Sequence, residues 1–159
     1  SEAEMKNKKE AFEDAIRATK AAVQEGIVPG GGVALLRALP FVLAAAGGSM
    51  GDERTGVSIL ARALEMPARQ IATNSGFDDG VVIEHIRALS GSMGFDAAMG
   101  TYVDLVASGI VDPTKVVRVA LQNAVSVAGT LLLTDATLTA IEDTKSASVG
   151  AREHPDEVA

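Results

Sequence analysis

Apolar residues recur at helical spacing through most of this chain, and glycine, proline and short polar stretches break the pattern into elements. Ser1 and Glu4 have capping-box spacing, so a helix is expected from the first residues. Met5, Phe12, Ile16 and Val23 form its stripe, thickened by Ala11, Ala15, Ala18 and Ala22, and it runs to about Glu25. Glu4–Lys8 and Glu13–Arg17 are expected as i,i+4 pairs with the acid placed N-terminally. Gly26 stops this helix, as a residue free to take positive φ does. Pro29 then pushes Val28 towards an extended conformation. Three glycines follow, and Val33 opens a second apolar helix running to about Ala46, disturbed at Pro40.

Gly47 to Arg54 reads as a polar loop, and a third helix starts near Thr55 with Val57, Leu60, Ala61 and Leu64 on one face. Pro67 is expected to kink or split it, with a second segment reaching Asn74 and Gly76 stopping it. Asp78 or Asp79 caps a fourth helix containing Val81, Val82, Ile83, Ile86 and Leu89. Ser90–Gly100 reads as a loop, and Tyr102 to about Ser108 as a short helical stretch. Asp112 then caps a final helix from Pro113 to about Thr134, whose wide apolar face places it at the centre of the bundle. Residues 136–141 alternate enough for a short strand without an evident partner, and the polar, acidic remainder from Glu142 is expected to be disordered. The fold class is therefore all-α, a helical bundle with a short C-terminal β-strand.

Composition narrows the function. With 159 residues the chain has the length of one domain and can bury a sizeable core. Its apolar residues are mostly Ala, Val, Leu and Ile, with no Trp and one Tyr, as suits closely packed helices. No apolar run approaches the roughly 20 residues that span a bilayer, and no basic-then-apolar leader opens the chain, so no membrane partner is expected. The absence of cysteine removes thiolate metal sites and disulfides. A net charge of −7 argues against nucleic acid, which wants a basic face.

Candidate chemistry concentrates in Glu25–Arg37, EGIVPGGGVALLR. Gly30, Gly31 and Gly32 allow close approach to the backbone, and the N–H groups opening the next helix suit an anion or a sugar edge. A glycine cluster also serves as a plain joint between helices. Asp14 reads either as a solvated acid beside Glu10 and Glu13 or as a carboxylate that orients water near a phosphate. Asp112 reads as an N-cap, a role compatible with accepting a hydroxyl on its other oxygen. His85 has no second ligand at metal-binding spacing, and no metal site made of protein ligands alone is expected.

The run VPGGGVALLR resembles a signature of the group I chaperonins, the GroEL family, with Leu35 and Leu36 where group II chaperonins usually carry an acid. AFEDAIRATKAAVQEG before it and GIVDPTKVVRVALQNAVSVAG after it agree in order, so the resemblance extends from Ser1 to about Ile141. It implies that residues 1–25 are an intermediate-domain helix, 26–141 the C-terminal half of an equatorial, ATP-binding domain, and 142–159 a tail. It implies ATP or ADP with Mg2+ as cofactor, Asp14 as the catalytic aspartate, and Gly31, Gly32, Asp96, Ala97, Ile110 and Asp112 as nucleotide contacts. Asp96 stands where many relatives have asparagine; a carboxylate accepts from an adenine amino group but cannot donate, so the backbone of Ala97 is the better-founded contact.

The resemblance also implies a cytoplasmic double-ring homo-oligomer that assists protein folding, with Arg69, Asp78 and Val81 in the contact between rings. Its partners would be other chaperonin subunits and, through an apical part, the co-chaperonin GroES and non-native polypeptides. Neither the family's phosphate loop nor a Walker sequence occurs in these residues. The chain therefore reads as the C-terminal third of a subunit, with no significant ATPase activity of its own. The competing reading is a non-catalytic helical module for self-association or protein binding. A small enzyme built on the glycine loop fares worst, for want of a nucleophile–base pair or a lysine beside the glycines.

Overall fold

The computed structural model describes residues 1–139. Residues 1–123 form one compact unit, and the described residues from 124 onwards belong to a second. The element order is α1 (Glu2–Glu25), β1 (Ile27–Pro29), α2 (Val33–Ala45), α3 (Gly51–Asn74), α4 (Asp79–Ala88), β2 (Met93–Asp96), β3 (Thr101–Asp104), β4 (Val111–Pro113) and α5 (Thr114–Leu132). The strands form two antiparallel pairs, β1 with β4 and β2 with β3. The bulk is helical, as the periodicity requires.

Several local expectations hold in detail. Ser1 and Glu4 close the capping box on α1, and Gly26 ends it at φ 79°. Asp78, rather than Asp79, caps α4 by accepting the Val81 N–H at 3.0 Å. The surface pairs of α1 differ from those expected. Glu4 is engaged in the capping box, Glu13 faces Lys9 at 3.8 Å, and Arg17 takes Asp14 at 2.7 Å. Exposed pairs of this kind differ by little in energy, so spacing alone does not choose among them.

Other expectations are corrected. α3 begins at Gly51 and continues through Pro67 as one 24-residue helix. The lost intrahelical bond is tolerated because Leu64, Ala68 and Ala72, on either side of Pro67, are buried and hold the helix by packing. Ser90–Ser108 is no loop followed by a helix: Met93–Asp96 and Thr101–Asp104 form a hairpin, with Phe95 opposite Tyr102. Thr101, Tyr102 and Val103 are β-formers, and Gly100 at φ 67° permits the turn. Residues 136–139 lie in no strand, and the rest of the expected strand, with the expected tail, falls outside the described residues.

The core is built from α2, α3, α4 and the hairpin. Val33, Leu36, Ala68, Ala72, Val82, Ile83, Ile86, Phe95 and Leu105 form one buried cluster. Each large member contributes about 1.5–3 kcal/mol by leaving water. Small residues set the helix spacing. A Cβ on Gly32, at φ 76°, would stand 2.7 Å from the Ala68 backbone nitrogen, so α2 approaches α3 only because that atom is absent. Phe95 sits between Phe77 (edge-on, 5.0 Å between ring centroids) and Tyr102 (5.4 Å). His85 lies tilted on Tyr102 at 4.5 Å, a packed surface imidazole. α5 is not central: none of its residues is buried. A wide apolar face is a requirement for a partner, and among the described residues that face is left exposed.

α3 and α4 are also joined by charge. Glu65 accepts from Arg69 at 3.0 Å and from Arg87, and Arg69 reaches Asp79 at 2.7 Å. Hydrogen bonding to Arg69 holds the Asp79 carboxyl below its ordinary range. Arg37, one turn into α2, donates to the carbonyls of Ile86 (3.1 Å), Gly91 (3.2 Å) and Met93 (3.1 Å).

Candidate functional site

The glycine turn is fixed by the strand pair beside it. β1 and β4 pair with Val28 opposite Asp112 and Pro29 opposite Val111. One residue further, the Gly30 N–H donates to the Ile110 carbonyl at 2.9 Å, and Ile110 N–H donates to Leu105 at 2.8 Å. Gly30 is buried here, and a Cβ on it would meet the Ile110 carbonyl at 3.1 Å. Gly31, at φ 63°, faces the hairpin: a Cβ there would lie 3.7 Å from the Phe95 carbonyl oxygen. The bare side of Gly32 lies against α3, so that side serves helix packing. Among the described residues, the N–H groups of Gly31 and Gly32 enter no backbone hydrogen bond.

The hairpin turn after Phe95 is organised by Asp96. Its Oδ1 accepts the N–H groups of Ala98 (2.9 Å) and Met99 (3.2 Å), and its carbonyl accepts Gly100 N–H at 2.8 Å. Part of the Asp96 carboxylate is thus committed to its own turn. Ala97 and Ile110 both pack, half-buried, against the core cluster.

Asp112 differs from the reading as a cap. It lies in β4, half-buried, and among the described residues its carboxylate accepts no hydrogen bond. Burial without a compensating donor pushes its carboxyl up from the ordinary carboxylate range. A half-buried acceptor beside free N–H groups and a bare glycine suits a ligand that offers hydroxyl donors and carries negative charge. That donor set fits a sugar–phosphate.

Asp112 on β4 and Ile110 just before it therefore lie on the pairing that leads into the glycine turn, and Gly31 faces the carbonyl just before Asp96 and Ala97, while the bare side of Gly32 is taken up by α3. Asp14 is remote from this turn. It lies about 17 Å along α1 from the end that meets β1, 75% exposed and paired with Arg17. The last turn of α1 is tied to α5: Glu25 accepts from Arg118 Nη2 at 2.6 Å and Nε at 3.0 Å, and Lys115 donates to Gln24 at 2.6 Å. Sequence reasoning named Gly30 with its neighbours in the triplet but missed the Phe95 carbonyl, since nothing in the sequence marks a backbone oxygen. A surface cavity of about 620 Å3 lies elsewhere, with Leu39, Ser58, Arg62 and Arg87 on its walls. Among the described residues no cluster of His, Asp and Glu has the form of a metal site.

The TCP-1/cpn60 chaperonin family matches residues 1–142. The chain belongs to this family. It is 65% identical over 145 residues to chaperonin GroEL 5 of Bradyrhizobium diazoefficiens, covering 91% of this chain and 27% of that protein. Its backbone is similar to the crystal structure of a group III chaperonin in the open state, with a TM-score of 0.68 and 32% identity over 74% of this chain and 25% of that one. The chain thus spans about a quarter of the length of these chaperonins. No helix among the described residues is long and apolar enough to cross a membrane.

Proposed function

We propose that this chain supplies one side of a chaperonin nucleotide site, in a machine that uses ATP to assist protein folding. The observation that carries the reading is Asp112, a half-buried carboxylate with no donor among the described residues, set opposite Val28 on the strand pair that leads into the glycine turn. Asp112 would accept ribose hydroxyls, the bare backbone of Gly31 would let the nucleotide lie close, and Ala97 and Ile110 would meet the base. ATP with Mg2+ would supply the phosphoanhydride that drives the cycle. Residues 1–25 are read as the intermediate-domain helix that carries Asp14, the carboxylate that orients water once α1 closes over the site. Residues 26–141 are read as equatorial.

The remaining phosphate and metal contacts would come from the complementary part of the subunit, as would binding of GroES and of non-native polypeptide. A double-ring homo-oligomer in the cytoplasm completes the reading. Within it, Arg69 and Asp78 already serve α3–α4 and the cap of α4, which leaves Val81, exposed on α4, as the freest of the proposed ring contacts.

The test is ATP turnover. The chain alone should show none. Combined with the complementary part it should hydrolyse ATP, and Asp14→Ala should lower the rate by at least about a hundredfold. Turnover by the chain alone, lost in Asp14→Ala, would overturn the division of the site.

A further inference from the structure

We infer that Arg37 is a positioning residue for the base-facing side of this site; the inference rests on the nucleotide reading above. Arg37 is half-buried, and its guanidinium gathers three carbonyls from one connection. Nη1 bonds Ile86 in the last turn of α4, Nε bonds Gly91, and Nη2 bonds Met93, the first residue of β2. The planar fork meets all three at once, which a lysine ammonium on its flexible stem does not do in one geometry.

The next residue adds a second fixing. A Cβ on Gly94 would come within 2.7 Å of Val33 Cγ2 and 2.5 Å of Leu105 Cδ1, so β2 lies directly on the first residue of α2. One residue further, the Phe95 carbonyl faces Gly31, and the Asp96 turn holds Ala97 in place. α2 therefore carries the glycine turn at its start and, through Arg37, also sets where the hairpin begins. The spacing between the sugar-facing group (Gly31, Asp112) and the base-facing group (Ala97) is thus set in part by the Arg37 guanidinium. A residue that only added stability would leave ligand selectivity alone.

The variant to use is Arg37→Lys, which keeps the charge and the aliphatic stem. Mg-ADP and ribose 5-phosphate are titrated into wild type and variant, each combined with the complementary chaperonin part, and amide hydrogen exchange is measured on both chains. The expected result is a loss of Mg-ADP affinity of about tenfold or more, with ribose 5-phosphate binding unchanged. Exchange should quicken at Phe95, Ala97 and Ala98 while Leu64, Ala72 and Ile83 stay protected. Equal loss for both ligands, no loss for either, or faster exchange throughout the core overturns the positioning role. If wild type binds neither ligand, the nucleotide reading falls, and exchange alone then decides whether Arg37 places the hairpin: a selective change upholds that, and a uniform change or none refutes it.

Discussion

At Asp112 the fold holds a carboxylate half out of water with no donor among the described residues, and the sign of the consequence can be worked out. Burial raises its folded-state pKa above the unfolded value, so the charged form is disfavoured in the fold. Any stability linked to this group is fully present below the unfolded pKa and is lost as pH rises through the folded one. Asp112→Asn should therefore raise the melting temperature at pH 7, and the gain should shrink as pH falls into the carboxylate range. Thermal unfolding followed across pH checks this; a gain of equal size at low pH would place the effect elsewhere. The motif DPTK made Asp112 visible in the sequence, but its N-cap reading did not survive, because β4 keeps residue 112 in a strand register opposite Val28. Pairing over 80 residues of sequence separation is not written in a local pattern.

At the scale of elements, α3 and α4 are joined by apolar packing and by one carboxylate. Glu65, with a side chain 12% exposed, receives both Arg69 and Arg87. Glu65→Ala leaves two guanidinium groups without that acceptor and should cost about 1.5–3 kcal/mol, read by chemical denaturation. Arg69→Ala should cost less, since Glu65 keeps Arg87, and it should also blunt acid sensitivity. The Asp79 carboxyl is lowered by Arg69, so its contribution is present above the unfolded pKa and lost as pH falls through the folded one. The helices and most of their ends were legible because 3.6-residue periodicity, Ser1, Gly26 and Asp78 are local signals. The β2–β3 hairpin was not, since Ser90–Gly100 is rich in small residues that also suit a loop. Its first strand is placed by groups outside the segment, the Arg37 guanidinium and the Val33 side chain that Gly94 leaves room for, a tertiary cause.

For the molecule as a whole, what is left exposed matters as much as what is buried. Phe12 and Val23 on α1 are 71% and 83% exposed, and α5 buries none of its residues. The apolar face of α5 read in the sequence as central, and that of α1 as a helical stripe. Their covering partners lie in no described residue, which accords with a chain that matches about a quarter of its relatives' length. The candidate site shows the same incompleteness, with the proposed sugar and base contacts near the glycine turn and Asp14 well away from them. The measurement that tests this most directly is calorimetric titration of Mg-ADP into the chain alone and into its mixture with the complementary chaperonin part. Binding should appear with the mixture, and Asp112→Ala should abolish it while circular dichroism shows the helices unchanged. A folded mixture that binds no nucleotide, or that binds it equally well with Asp112→Ala, would contradict the assignment of this junction.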